Sequence, residues 1–463
     1  MEVAKQQRDS LGGLESLPSD ESEPDPAYRE VLDWIWSFSA RARSAEQIAA
    51  QRAVKLERMD ALLSALSHPE RQFPSVLVAG TKGKGSTVAM LSACLTEGGY
   101  RTGRYTSPHL VNWRERTCVN GQPFSTADVL ALAEPIRRAV NTLSENLGPL
   151  TTFEVGTAFA FLHFARRRVD VAVVEVGTGG RFDATNLVEP AVSVITPVSY
   201  DHTQTLGSTL TSIAWHKAGI MRAHRPAVSA PQLAEAREVI EGEARRLHVS
   251  LEEVGRDWRW SPLGTGMLID STHADFDPLD LELSLIGDHQ RDNATTVVAA
   301  LHVVADRFAV TRAQIQRAMR NVDWPGRLQV LSRQPWLVLD GAHNAASAEV
   351  VRQALDALFN FERLILVVGL SEGKDALGVL SALTPRAAQV LLTRSHHERS
   401  APPAELEPLA RKGGQAHVLT FDDLAAALQA AMTTAGPRDL VLVTGSLFLV
   451  GEALEWWRRS HRW

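Results

Sequence analysis

Cysteine is nearly absent: Cys94 and Cys118 are the only two in 463 residues. Two thiols cannot build a disulfide framework or a cysteine zinc cluster, so a reducing cytoplasm is the expected compartment. No apolar run reaches the roughly 18–20 residues that a membrane span needs. The opening MEVAKQQRDSLGG has no apolar secretory segment, so no membrane partner and no export are expected. A basic surplus is missing too: 48 Lys and Arg face 54 Asp and Glu, a net charge of −6, which argues against nucleic acid as a partner. No repeat at a fixed period and no heptad seam stands out, so a monomer is expected. What is present is 44% hydrophobic and 22% charged, a globular profile long enough for two or three domains.

Residues 1–26, with SLPSDESEPDP, are polar and acidic and read as a disordered tail. Two apolar stripes at helical spacing follow, Val31, Leu32, Ile35 and Trp36, then Leu56, Met59, Leu62, Leu63 and Leu66. From FPSVLVAG onward, short buried strands (SVLVAG, YRTGRYTSP, VDVAVVEVG, AVSVITPVS) alternate with helical stretches near 86–98, 125–144, 154–168 and 210–221. That alternation predicts a mainly parallel sheet with helices on both faces. Between 251 and 286 the texture shifts to short alternating segments of antiparallel type, and a helix is expected over 293–308. The WPGR turn at 324–327 marks a boundary, after which WLVLDG, LILVVG, QVLLTR, HVLTF and LVLVTG supply further strands. The expected fold class is α/β with two doubly wound domains, 27–325 and a smaller, Rossmann-like 326–463.

Gly80-Thr81-Lys82-Gly83-Lys84-Gly85-Ser86-Thr87 sits between a buried strand and a helix start. Glycines let the backbone turn and aim its N–H groups at phosphate oxygens, and the helix dipole adds partial positive charge. Lys84 can reach the β/γ-phosphates, and the hydroxyls of Ser86 and Thr87 suit Mg²⁺ or phosphate. The spacing departs from G-x-x-x-x-G-K-[ST], so this is a variant P-loop; a Gly-rich turn with a solvent lysine is the plain alternative. Glu175 closes the strand VDVAVVEVG, where an acid can hold Mg²⁺ or its water. GTGGRFDA then places Arg181 and Asp183 beside it. Asp201-His202 again follows a strand, at the carboxyl end where open α/β sheets bind ligands. Lys217 lies in a mostly apolar helical segment, where a snorkelling lysine is the ordinary alternative. DGAHN at 340–344 ends a strand in the second domain with Asp340, His343 and Asn344 together.

GTKGKGST, TSPHL, VEVGTGGRFDATN, SYDHTQTLGSTLTSIAWHKAGI, WPGR and DGAHN occur in that order between about Tyr28 and Leu454. Together they resemble the folylpolyglutamate synthase/dihydrofolate synthase family of the Mur ligase superfamily. The resemblance implies an ATP-binding P-loop domain followed by a glutamate-ligase domain. It implies ATP-dependent ligation of L-glutamate to dihydropteroate or a reduced folate in a cleft between them, with two Mg²⁺ ions. By the same likeness the P-loop, Gly80 to Thr87, binds ATP; Ser107 and Glu175 hold the first Mg²⁺ and His202 the second. Lys217 matches a carbamylated lysine, and a carbamate would make a cation into an oxygen ligand. Asn293, Arg327 and Asp340 match positions that hold adenine, phosphate and ribose. Thr151, Thr152, Phe153 and Glu154, with Phe182, Asp183 and Ala184, match pterin contacts. His343 falls near glutamate or the transferred phosphate. Lys82 stands where bacterial members commonly carry Asn, and Ala345 follows DGAHN in place of a usual Pro, which leaves the acceptor open.

The implied chemistry follows from charge. A carboxylate is a poor electrophile until it attacks the γ-phosphate and becomes an acyl phosphate, which the amine of glutamate then opens with loss of phosphate. Rivals are a cell-wall Mur ligase, which normally carries a nucleotide-sugar domain before its P-loop, a P-loop phosphotransferase, and a catalytically dead nucleotide-binding regulator, which would be expected to have lost Ser107, Glu175 or His202. The first has only 79 residues available before Gly80, and the second leaves Lys217 and the last domain unexplained.

Overall fold

The computed structural model describes residues 25–39, 55–412, 414 and 417–460. The expected tail lies outside these, apart from Asp25 and Pro26, which are not tail. Pro26 opens the helix Pro26–Ser37, and the Asp25 carboxylate caps it by accepting from the Ala27 N–H at 2.9 Å. The second apolar stripe forms the helix Lys55–Ala65.

The N-terminal sheet has eight strands: β1 Ser75–Ala79, β2 Thr102–Tyr105, β3 Thr117–Val119, β4 Gln122–Pro123, β5 Val171–Glu175, β6 Pro190–Ile195, β7 Ala227–Ser229 and β8 Leu251–Glu253. They run in the order β4-β3-β2-β5-β1-β6-β7-β8. The six from β2 to β8 are parallel, while β3 and β4 add an antiparallel edge. Every residue of β1, β5 and β6 is buried, which explains their continuous apolar runs: helices cover both faces. Leu77, Ala79 and Val174 point into one core with Phe159, Phe161 and Phe164 of the helix Thr152–Arg166. Val76, Val78 and Val173 point into the other, against the helices Lys84–Glu97 and Asp288–Val303.

The antiparallel texture after β8 is a separate three-stranded sheet, β9 Trp258–Leu263, β10 Gly266–Ser271 and β11 Leu279–Leu281. The C-terminal sheet comprises β12 Gln329–Arg333, β13 Trp336–Leu339, β14 Leu364–Val368, β15 Ala387–Leu392, β16 Val418–Thr420 and β17 Leu440–Thr444. Its order is β12-β13-β17-β14-β15-β16, with helices on both faces feeding two further cores. This sheet is mixed: β12 pairs antiparallel with β13 and the rest are parallel. β4 and β12 are half-exposed and β3 is only three residues long, so no apolar run announced them.

The two halves touch. The His109 ring meets Phe448 at 5.8 Å between centroids, and Leu110 packs against the C-terminal core.

Candidate functional site

Register brings the chemistry to one place. Val78 of β1 pairs with Glu175 of β5, Ala79 with Ile195 of β6, and Tyr105 of β2 with Val174 of β5. The carboxyl tips of four adjacent parallel strands, β2-β5-β1-β6, therefore present Ser107, Glu175, the P-loop and Asp201-His202 side by side.

The P-loop is laced to the exit of β6. The Thr81 and Lys82 N–H groups donate to the Pro197 carbonyl at 2.9 and 3.2 Å, and the Thr81 hydroxyl donates to the Ser199 carbonyl at 3.0 Å. A Cβ at Gly80 would overlap the Thr196 hydroxyl. Gly83, at φ 81°, lies in the left-handed region and packs directly on the Asn293 amide. The helix Lys84–Glu97 starts there. Asn293 donates to Gln290 at 3.0 Å, and Gln290 donates to the Ser86 hydroxyl at 3.3 Å, so the start of the helix Asp288–Val303 props the loop. The Thr87 hydroxyl is buried with no hydrogen-bond partner among the described residues.

Glu175 is buried, accepts from the Ser107 N–H at 3.1 Å and lies 3.9 Å from the Lys84 Nζ. Burial pushes its carboxyl above the usual range, against the pull of Lys84 and the Ser107 N–H. Lys217 is 4% exposed, and its Nζ donates to the Gly80 carbonyl at 2.7 Å. Burial, helped by Lys84, brings its pKa down from 10.5 to about 7. Lys82 is lowered to about 8, by burial working against Asp201. His202, at φ 50°, is likewise lowered by burial, and Asp201 opposes that shift. Although burial pushes Asp201 up, His202, Lys374 and His343 hold its carboxyl below the usual range.

From the C-terminal half, Lys374 reaches Asp201 at 3.7 Å, an ion pair between the two sheets. His343 sits near Asp201, Lys374 and Arg327, bonded through Nδ1 to the Gly341 carbonyl at 2.9 Å, and burial lowers it to about 4. Asp340 is buried and accepts from the Leu328 and Ala342 N–H groups at 2.9 and 2.8 Å. The Arg327 guanidinium donates to the Gly326 carbonyl at 2.9 Å. His289 lies close enough to Arg327 and Lys82 to feel both charges.

The residues matched to pterin contacts divide into two kinds. Thr151 and Glu154 form a capping box, and Glu154 is fully buried, accepting from Arg58 Nη2 at 2.8 and 3.0 Å and from Nε at 3.0 Å. Asp183 is 1% exposed and accepts from the Thr178 and Thr185 N–H groups at 3.1 Å, while Ala184 is fully buried. Those four are held by internal bonds or burial. Phe182 is exposed, while Phe153 is partly buried against the N-terminal core, 6.1 Å from the Tyr105 ring. Phe153 packs on Gly177, which joins the two segments, and Lys55 Nζ stands 5.8 Å above its ring and 3.6 Å from Asp183. Phe182 leans on Trp215 at 6.0 Å.

Sequence reasoning missed Lys374, His289, Gln290, Lys55 and Arg58. Lys374 sits in SEGKD and His289 and Gln290 in HQRDN, so the strings were visible. Lys55 and Arg58 read as polar positions of an ordinary amphipathic helix, with no signal of their own.

The site concentrates oxygen donors (Glu175, Ser107, Ser86 and the unpartnered Thr87 hydroxyl) beside Lys82, Lys84 and Lys217. A hard divalent cation with a polyphosphate fits that donor set.

The Mur ligase middle domain family matches residues 78–301, and the Mur ligase glutamate ligase domain matches residues 326–447. The dihydrofolate synthase/folylpolyglutamate synthase of Bacillus subtilis (strain 168) is 33% identical over 86% of this chain and 93% of its own length. This chain belongs to that family. Members solved as structures superpose along nearly the whole length. E. coli FolC in complex with DHPP and ADP gives a TM-score of 0.83 at 30% identity, covering 96% of this chain and 100% of that one. The bifunctional folylpolyglutamate synthase/dihydrofolate synthase of Yersinia pestis, complexed with AMPPNP and Mn ion, gives 0.81 at 29%, covering 95% and 99%. Among the described residues, no helix of this family member is long and apolar enough to cross a membrane.

Proposed function

We infer that the protein is an ATP-dependent ligase that joins L-glutamate to dihydropteroate, to the glutamyl tail of reduced folates, or to both, releasing ADP and phosphate. Family membership supports the reaction. The single structural observation behind it is the meeting of the P-loop, Glu175, Ser107 and Asp201-His202 at four neighbouring strand tips. The cell-wall and phosphotransferase readings are not favoured, since the relatives aligned through both halves are dihydrofolate synthase/folylpolyglutamate synthases.

In this reading residues 27–325 form the ATP-binding domain and 326–463 the glutamate-ligase domain, hinged at WPGR. P-loop N–H groups and Lys84 bind the β/γ-phosphates, with Asn293, Arg327 and Asp340 at the nucleoside end. Ser107, Glu175 and the P-loop hydroxyls would hold one Mg²⁺ and His202 a second. When bound, these ions neutralise phosphate charge as the acyl phosphate forms. Phe153 and Phe182 offer aromatic faces to a pterin ring, while Arg58–Glu154 and Asp183 fix the backbone that carries them. Lys82, Lys84 and Arg327 hold the negative charge in place while the acceptor carboxylate attacks, and domain closure excludes water. His343 and Lys374, brought to the P-loop domain by that closure, face incoming glutamate. The Lys217 amine, with its pKa brought down to about 7 by burial, holds a large neutral fraction at neutral pH and is positioned to take up CO₂ and become a carbamate. The enzyme works as a cytoplasmic monomer on small molecules, with no nucleic-acid or membrane partner.

ADP release from ATP is the direct test, with dihydropteroate or tetrahydrofolate as acceptor and with or without glutamate. Release that requires both acceptor and glutamate is expected. Release that ignores glutamate would overturn the ligase reading.

A further inference from the structure

Away from the catalytic cleft, one group of side chains has metal-ligand geometry. His273 and Asp275 lie in the loop between β10 and β11, and His302 lies near the end of the helix Asp288–Val303. One ligand atom from each falls within 4.8 Å of the other two, and among the described residues no other group of His, Cys, Asp and Glu does this. The His302 Nε2 faces the Asp275 carboxylate at 3.8 Å, and the two imidazole rings are 5.1 Å apart.

The surroundings are ordered for binding. Both rings rest on the buried Trp258 indole, at 5.6 and 5.2 Å. The His273 Nε2 is bonded to Glu252 Oε2 at 2.7 Å, and the same oxygen accepts from the Trp258 indole N–H at 3.0 Å. A carboxylate on one ring nitrogen fixes the tautomer and leaves Nδ1 to offer its lone pair, the usual outer partner of a metal-bound histidine. Metal–ligand bonds of about 2.0–2.2 Å set ligand atoms roughly 3.4 Å apart in a tetrahedron. Asp275 is 78% exposed, so its carboxylate can close on the imidazoles by rotation, and the two half-buried rings need to approach each other by only about an ångström.

We propose that His273, Asp275 and His302 form a site for a divalent transition metal of the Zn²⁺ class, stapling the β10–β11 loop to the helix Asp288–Val303. Two imidazoles and one carboxylate select Zn²⁺ over Mg²⁺, which takes oxygen ligands and sheds water reluctantly. His302 is twelve residues along the helix from Gln290, about 18 Å at 1.5 Å per residue. The staple is thus distinct from the nucleotide site and steadies the far end of the helix that props the P-loop.

The test is calorimetric Zn²⁺ titration of the metal-stripped full-length protein in excess Mg²⁺, for the parent, His302→Gln and Asp275→Asn. The parent should keep one Zn²⁺ equivalent that Mg²⁺ does not displace. Each variant should bind that equivalent at least ~10-fold more weakly, in line with removal of a ligand, while glutamate-dependent ADP release measured without zinc stays unchanged. Asp275→Asn changes only an exposed side chain, so its fold is preserved if His302→Gln unfolds. A parent that holds no zinc in excess Mg²⁺, or an Asp275→Asn variant that binds it as tightly as the parent, overturns the proposal.

Discussion

Replacing Lys217 with Met should separate stability from function. The amine is 4% exposed and its pKa falls from 10.5 to about 7. At about 1.4 kcal/mol per unit, hiding this group disfavours folding by about 5 kcal/mol below pH 7. Between pH 7 and 10.5 the unfolded chain holds a proton that the folded chain lacks, so wild-type stability rises with pH across that window. By pH 9 the residual cost is about 2 kcal/mol. Loss of the bond to the Gly80 carbonyl offsets part of the gain, by about 1–3 kcal/mol at every pH. Lys217→Met should therefore be more stable than wild type by about 2–4 kcal/mol at pH 6 and nearly level with it at pH 9. Urea unfolding followed by tryptophan fluorescence in CO₂-free buffer reads both differences, and ligation should be lost at either pH. A stability difference that does not change between pH 6 and 9 would refute the depressed amine and, with it, the chemical basis for a carbamate. In wild type, activity should fall below about pH 7 as the amine becomes protonated, and intact mass in bicarbonate should show one added CO₂.

Lys84→Ala should lower kcat at least ~10²-fold in the ADP-release assay, since one stabiliser of transferring charge is lost; its side chain is 17% exposed and faces the buried Glu175 at 3.9 Å, so the variant should fold and keep a cooperative thermal transition. Glu175→Gln should raise the Mg²⁺ concentration needed for half-maximal rate; saturation identical to wild type would remove Glu175 from the metal set. Arg58→Met leaves a fully buried Glu154 carboxylate without its partner and should destabilise by about 3–5 kcal/mol in urea unfolding. A loss under about 1 kcal/mol would refute the buried ion pair as a stabilising contact.

The central strands were legible because β1, β5 and β6 are buried on both faces and carry no charged residue before their carboxyl tips. The residues at their tips were legible because glycine, acid and imidazole at strand ends have few purely structural uses. Edge strands β4 and β12 were not, because half-exposed positions carry mixed residues, and the buried β3 is too short to show a period. Lys374 and Lys55 escaped for another reason: their meaning lies in Asp201 and Asp183, 173 and 128 positions away in the chain. Single-sequence periodicity has no access to such pairings. The match of Glu154 to a ligand contact shows the converse, since its position was flagged while its actual bonds, to Arg58 and the Thr151 cap, are internal.

The WPGR segment is less free than a linker suggests. The Gly341 N–H donates to the Gly326 carbonyl at 3.0 Å, the Gly326 N–H to Gln329 at 3.0 Å, and the Leu328 N–H to Asp340 at 2.9 Å. From Gly326 onward the chain is strapped to the β13 side, and Pro325 has a fixed φ. Upstream, the Trp324 ring lies against Gly85 of the P-loop helix, with Arg104 stacked 5.1 Å from it. Torsional freedom is thus squeezed into the one or two peptides around Asp323 and Trp324. The axle of any swing between the halves therefore abuts the indole that packs on the phosphate-loop helix, so the joint and the nucleotide loop share one side chain.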